Sequence, residues 1–569
     1  MRILLILLVI GLSSTLFCQE GGGEAAGARE EGKSKGKYAL KINGGLSFGG
    51  ELYHVDGIPN RRSPWSYTTS GRLGISVGKF RLPINFTYRD RQFAYDFTFN
   101  RFGASPSYKW ATVHLGWRSM YFSPYTLAGR QFFGVGTELT PGKVYIGGLV
   151  GTIRNPLALR DSLTLGANLI PIFDRKLYGA KVGFRSGKHH FEVMAAKIYD
   201  DPDSFNRPEN YDERGYRVLT AKENVVAGIN AGFEIAKTVE FYVKTGVTVL
   251  TDDSQDPRTG AVQGALPDEY DDIITVNPSS NATFAGDAGL NIRIKSSRLG
   301  LQYRRVEPFY TTLATAYFQN DIEQYTGLVT TALFKRKLLL NGRVGLERNN
   351  LRNYRSGEYE RLIVNTTAAY RPTDDWNINL RYANFTTDNN QDILEFNDTL
   401  RFVTVTNTAG FTAGRRFSGQ SADFNVNLFT NFQRVDDQSI SQRLDELDTY
   451  SASLSAGWTW KESDWSLGPS LQYHRFDLTE RQQERFGVGL NLGKSLFNKK
   501  VNANFSSTLS QNDVNNLRDG TVGLHRLRLR YKLGKKTSLG LSSSYRHVQS
   551  IQRRNFQEWR SRLQANYRF

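Results

Sequence analysis

Apolar and polar side chains alternate one by one along most of this chain. Near its start, Tyr38, Leu40, Ile42, Leu46 and Phe48 fall on one face, and Lys41, Asn43 and Ser47 on the other. Farther on, Ala452, Leu454, Ala456, Trp458 and Trp460 oppose Ser451, Ser453, Ser455 and Thr459. Phe486, Val488, Leu490 and Leu492 repeat the pattern, as do Val501, Ala503, Phe505 and Leu509. A period of two marks strands with one apolar and one polar face. Short segments carrying Lys, Gly or Asp punctuate them at 78–79, 140–143, 236–238, 295–297, 372–375, 461–464, 495–499 and 534–536. Between alternate hairpins lie long polar loops, notably 199–224, 251–283, 307–324, 387–398 and 433–448. Two weaker patterns, 93–102 and 400–408, restore parity if they are strands, which brings the count to about 26, within a range of about 24–28.

The chain has no amphipathic helix to punctuate soluble domains, and after its first residues no apolar run long enough for a transmembrane helix. Its mean hydropathy is negative, yet 12% of residues are aromatic and 53 are Gly. Alternation hides an apolar surface in such an average, so a barrel that crosses a membrane with strands looks hydrophilic overall.

Both termini carry export patterns. Met1 and Arg2 precede an apolar stretch at 3–12, too short to span a bilayer, and residues 13–15 are small and polar. Cleavage is placed after Cys18; acylation of Cys18 is the alternative, against which Phe17 stands where a small residue is expected. If Cys18 leaves with the signal, the mature chain has no cysteine and depends on inter-strand hydrogen bonds rather than disulfides. At the other end, Leu563, Ala565, Tyr567 and Phe569 alternate with Arg560, Arg562, Gln564, Asn566 and Arg568. This final strand, with Tyr567 and a terminal Phe569, resembles the C-terminal signal of bacterial outer-membrane β-barrels. That resemblance implies reading by the barrel-assembly machinery, with outer-membrane lipid and lipopolysaccharide as surroundings. The expected layout is a signal peptide at 1–18, a disordered periplasmic leader at 19–37 rich in Gly, Ala, Glu and Lys, and an all-β, antiparallel up-and-down transmembrane barrel at 38–569. The short turns then face the periplasm and the long loops the exterior. Trp460 and Trp465, flanking one turn on the outward face, fit an aromatic girdle at headgroup level.

Function is approached by subtraction. The leader is too short for the plug of a TonB-dependent transporter or for POTRA domains, and no peptidoglycan-binding domain follows the last strand. Barrels of 16–18 strands already enclose an aqueous channel, so a wider one needs closing by its own loops or by a protein partner. The expectation is therefore a subunit of a transport, secretion or envelope-assembly complex, with a stand-alone porin-like channel for anionic solutes as the alternative and an outer-membrane hydrolase as a distant one.

Net charge is +18, and its distribution is uneven. Arg526, Arg528, Arg530 and Lys532 share a strand face, followed by Arg546 and by Arg560, Arg562 and Arg568 on the last two strands. Their neighbours Leu527, Leu529, Tyr531 and Leu533 belong outside, so the basic column faces the lumen, where it favours anions or grips an acidic partner. Balance by acids on other strands, in an ordinary polar barrel interior, is the equal alternative. The 251–283 loop carries Asp252, Asp253, Asp256, Asp268, Glu269, Asp271 and Asp272 against Arg258 alone. These acids suit Ca²⁺ or partner contact, but nothing in their spacing resembles an EF-hand, and solvated acids explain them as well. The basic residues face a pore, which argues against nucleic acid as a partner. No cofactor motif and no metal-ligand spacing stands out.

The seven histidines give no enzyme pattern. His114 and His474 face the lumen, away from the outer leaflet. His525 and His547 face outward near the extracellular rim, with Ser543 on the same face as His547 but four residues away, beyond hydrogen-bond reach. The segment 119–129 holds no nucleophile motif. The chain reads as non-enzymatic.

Overall fold

The computed structural model describes residues 40–90, 100–156, 172–204, 219–257, 273–316, 319–354, 360–389, 402–437, 446–552 and 554–569. Two compact units divide the chain, Met1–Leu40 and Lys41–Phe569, and the second is the barrel. The signal peptide and leader lie outside the described residues, as do 93–99 and 400–401 of the two weakly patterned strands.

Apart from Arg101–Ala104 and Ser107–Tyr108, which do not pair with each other, each strand pairs antiparallel with its sequence neighbours, and the first, Leu40–Asp56, pairs with the last, Phe556–Arg568, from Gly45↔Arg568 to Asp56↔Gln557. Closure leaves no edge strand to satisfy, which a membrane-spanning sheet requires because hydrocarbon offers its backbone no hydrogen bonds. Of 27 strand segments, Arg101–Ala104 and Ser107–Tyr108 both lie between Phe80–Arg89 and Ala111–Arg118. They are halves of one stave, interrupted where Pro106 removes a ladder donor. The barrel therefore has 26 strands, the number read from the sequence pattern.

Of the weak pattern at 93–102, Arg101 and Phe102 begin the strand Arg101–Ala104, and of 400–408 the residues from Phe402 open the long strand Phe402–Ser418. All eight short turns read from the sequence fall between strands, for example the residues between Leu447–Trp460 and Trp465–Leu478. Four more short turns, at 109–110, 187–188, 334–337 and 419–421, carry the same Lys or Gly signal and were not singled out from the sequence. An even strand count brings both ends of the sheet to the short-turn side, where the Phe569 amide donates to Gly44 O at 3.3 Å.

The two faces of the sheet differ as alternation demands. On the strands Asp174–Ser186 and His189–Asp201, Tyr178, Val182, Phe184, Phe191 and Val193 are about half exposed on the outside. Such a belt is stable against lipid and unstable against water. The inward face of the same strands carries Arg175, Lys181, Glu192 and Asp200, all buried. Trp460 and Trp465 stand on the outward face, and Lys494 Nζ lies 4.9 Å from the Trp465 ring centre. Tyr567 and Phe569 pack with ring centres 5.9 Å apart at the closing seam.

Candidate functional site

The lumen is the candidate site, and part of its wall is apolar where a water-filled pore should be polar. Leu149, Leu177, Met194, Ile198 and Val226 all point inward. They are covered by segment 119–131, which leaves the strand Ala111–Arg118 and returns in Phe132–Leu139. Met120, Phe122 and Leu127 of this segment are buried against that wall patch. Each such side chain contributes roughly 1.5–3 kcal/mol on full burial, which holds the segment inside.

A second segment, 307–321, joins it from between Ser297–Val306 and Ile322–Leu333. Ala128 N donates to Ala314 O at 3.3 Å, and Ala316 N to Ala128 O at 3.2 Å. The Tyr310 hydroxyl donates to Tyr125 O at 2.6 Å, Thr312 Oγ1 to Thr126 O at 3.0 Å, and Arg130 Nε to Thr315 O at 2.8 Å. Both segments are also fixed to the wall. Tyr125 Oη donates to Asp287 Oδ1 at 2.8 Å, Thr248 Oγ1 to Thr311 O at 2.9 Å, and Leu313 N to Asn224 Oδ1 at 3.1 Å. The approach is close enough that wall glycines are required. A Cβ on Gly246 would lie 2.5 Å from Tyr310 Oη and 2.7 Å from Tyr125 Cβ. Burial pushes both phenols far above their ordinary pKa of 10.0.

Around the loops the inward charges are paired. Arg175 clasps Asp200 through two contacts of 2.7 and 2.8 Å, and Arg154 adds a third at 3.4 Å. Glu192, fully buried, meets Lys181 at 3.0 Å, Asn230 Nδ2 at 2.9 Å and the Arg185 guanidinium. Glu347 accepts from Arg361 Nε at 2.7 Å and from Gln324. A buried carboxylate is tolerable only with partners of this kind.

The basic column is different. Arg526, Arg528 and Arg530 sit opposite Ser544, Ser542 and Gly540 on one side and Ser506, Asn504 and Asn502 on the other. Lys532 faces Ser538. Among the described residues none of these four cations has an ion-pair partner. Arg560 and Arg562 both grip Glu51 across the closing seam, each at 2.7 Å, and Arg546 rests 5.4 Å from the Phe556 ring centre. At the short-turn end a recess of about 950 Å³ is lined by Arg72, Arg530, Lys532, Lys535, Lys536 and Arg568, with no carboxylate among its lining residues.

Of the acidic loop, Asp268, Glu269, Asp271 and Asp272 lie outside the described residues. Asp252 pairs with Lys222 at 2.6 Å, and Asn277 Nδ2 donates to the Asp253 carbonyl at 2.7 Å. Among the described residues no group of three or more His, Cys, Asp or Glu is placed to hold a metal ion.

Ser543 accepts from Trp559 Nε1 at 2.9 Å and meets Ser561 at 2.8 Å, rather than His547. His525 instead contacts Ser507 on the neighbouring strand at 3.0 Å and stacks on His547, with ring centres 5.6 Å apart. It stands about midway along Leu517–Lys532, below the rim position expected for it. In the lumen, His114 bridges Ser105 and Glu138, which sequence reading missed because the three residues come from three separate segments.

No protein-family model matches the chain, and no curated protein does. Among solved structures the chain is similar to the P pilus usher (PapC) translocation pore, with 10% identity, 93% of this chain and 99% of that chain covered, and a TM-score of 0.38. It is similar to OccK9 (OpdG) of Pseudomonas aeruginosa, with 12% identity, 69% and 98% covered, and a TM-score of 0.30. It is also similar to a loop-deletion mutant of OmpT, an outer membrane protein of Vibrio cholerae, with 10% identity, 69% and 99% covered, and a TM-score of 0.26.

Proposed function

We propose that this chain, a bacterial outer-membrane β-barrel of 26 strands, is a channel narrowed by its own loops and selective for anions. The observation that carries this reading is the docking of segments 119–131 and 307–321 onto the lumen wall and onto each other. The unpaired Arg526, Arg528, Arg530 and Lys532 then set a positive potential along the open side of the lumen. Residues 1–18 would direct export and be removed, 19–37 would remain periplasmic, and the last strand, ending in Tyr567 and Phe569, would be read by the assembly machinery. The test is reversal potential under a KCl gradient with purified barrel in a planar bilayer. Anion preference supports the reading, and cation preference or no conductance overturns it.

Strand number favours a second reading. The two docked segments fix to the wall formed by residues 144–333, while lumen width grows with all 26 strands. A protein partner would fill the remaining space, making the chain a subunit of a transport or secretion complex. The acids at 252–272 and the basic column would then be contact surfaces, the former with Ca²⁺ as a further option. Mild-detergent purification decides this: a companion chain at fixed stoichiometry supports it, and a lone barrel rejects it.

A further inference from the structure

Ser105 lies between the two half-strands, beside Pro106, with its backbone amide donating to Pro83 O at 3.0 Å. Its Oγ is 3.0 Å from His114 Nδ1, and His114 Nε2 is 3.3 Å from Glu138 Oε2. The second oxygen of Glu138 accepts from the Tyr145 hydroxyl at 2.7 Å, which fixes the carboxylate. His114 and Glu138 share the lumen face with Tyr145 on three successive strands. We propose that Ser105, His114 and Glu138 form a hydrolytic triad on the lumen wall, acting on short-chain acyl esters small enough to enter the hydrated lumen.

The geometry meets the requirements for an activated nucleophile: base within hydrogen-bond reach, and an acid orienting that base. Among the described residues two other serines contact histidines at 3.0 Å, Ser451 with His474 and Ser507 with His525. Among the described residues neither histidine has a carboxylate on its second nitrogen, so those pairs are cross-strand packing. A donor for negative charge is also at hand. Arg118 Nε holds the carbonyl of Ala104, the residue before Ser105, at 3.3 Å, while its Nη2 is buried without a partner among the described residues. Only glycine at 103 allows this, because a Cβ there would lie 2.9 Å from the guanidinium.

In the proposed reaction, Oγ of Ser105 attacks the ester carbonyl carbon as its proton moves to His114 Nδ1. The carbonyl π electrons move onto oxygen, where Arg118 receives the charge, and Glu138 stabilises the imidazolium. His114 returns the proton to the alkoxy oxygen as that C–O bond breaks, which leaves an acylated Ser105 and a free alcohol. Water then attacks the acyl carbon, giving one proton to His114 and passing it on to Ser105 Oγ as the carboxylic acid departs. The inference does not depend on what the channel conducts.

The test uses the intact purified barrel, a fluorophosphonate probe and p-nitrophenyl acetate, with the labelled peptide identified by mass. The expected result is covalent labelling at Ser105, with ester hydrolysis above the uncatalysed rate. Ser105→Ala should abolish labelling, and Glu138→Gln should slow it by roughly 10²–10⁴-fold while the barrel keeps its heat-modifiable migration. Wild-type barrel that labels no more than Ser105→Ala overturns the proposal, as does labelling confined to another residue. Glu138→Gln that folds and labels at the wild-type rate removes Glu138 from the site.

Discussion

The hydroxyl of Tyr310 donates to the carbonyl of Tyr125 at 2.6 Å, joining positions 185 residues apart inside the lumen. Both residues belong to segments between strands, and both are almost fully buried. The bond ties two inward segments into one constriction. Tyr310→Phe keeps the ring and leaves the Tyr125 carbonyl without that donor, costing about 1–3 kcal/mol of docking. The expected outcome is more frequent conductance fluctuation in bilayers and faster proteolysis within 119–131, with the barrel itself intact.

Gly246→Ala tests the wall beneath that bond. Its Cβ would meet Tyr310 Oη at 2.5 Å and Tyr125 Cβ at 2.7 Å, so the docked segments must shift to admit it. The segments should undock while strand pairing persists, raising single-channel conductance without loss of heat-modifiable migration.

Alkaline pH should open the constriction as well. Burial raises both phenol pKa values above the ordinary 10.0. A raised pKa means the neutral phenol is favoured in the docked state, so this contribution to docking is complete below about pH 10 and falls as pH rises further. Conductance recorded upward from neutral pH should hold steady and then climb above about pH 10; Tyr310→Phe should weaken that climb.

Glu51 is the acid that neutralises Arg560 and Arg562 across the seam. Glu51→Gln leaves two more free guanidiniums facing the lumen. Reversal potential should shift further toward anion selectivity. Stability should fall by about 1–3 kcal/mol, measured by the urea midpoint.

Removing the column itself works in the opposite direction. Arg526→Gln, Arg528→Gln and Arg530→Gln together delete three exposed cations with serine, asparagine and glycine neighbours, so folding should change little. Anion preference in the same KCl gradient should drop clearly.

The barrel was legible because lipid on one side and water on the other impose period two on nearly every strand, as in Leu447–Trp460. The loops were not, because their apolar residues carry no period. Segment 119–131, with Met120, Phe122 and Leu127, shows no strand alternation and no nucleophile motif. The signal lay on the wall instead. Val225 and Val226 stand side by side, and Leu177 and Met194 occupy inward positions on strands whose inward face also carries Arg175, Lys181, Glu192 and Asp200. Apolar residues on both faces of a strand mean that something covers the inner one. The basic column could be assigned a face from Leu527, Leu529 and Tyr531, but not its partners, since Glu51 reaches Arg560 only when the ends of the chain meet. Ser105, His114 and Glu138 likewise meet only through register.

The most direct test of a lumen narrowed by its own loops is single-channel conductance of the wild-type barrel against a variant in which residues 121–129 are replaced by a short Gly-Ser linker. A clear rise in conductance, with anion preference kept, is the predicted result. Equal conductance in the two barrels would contradict it.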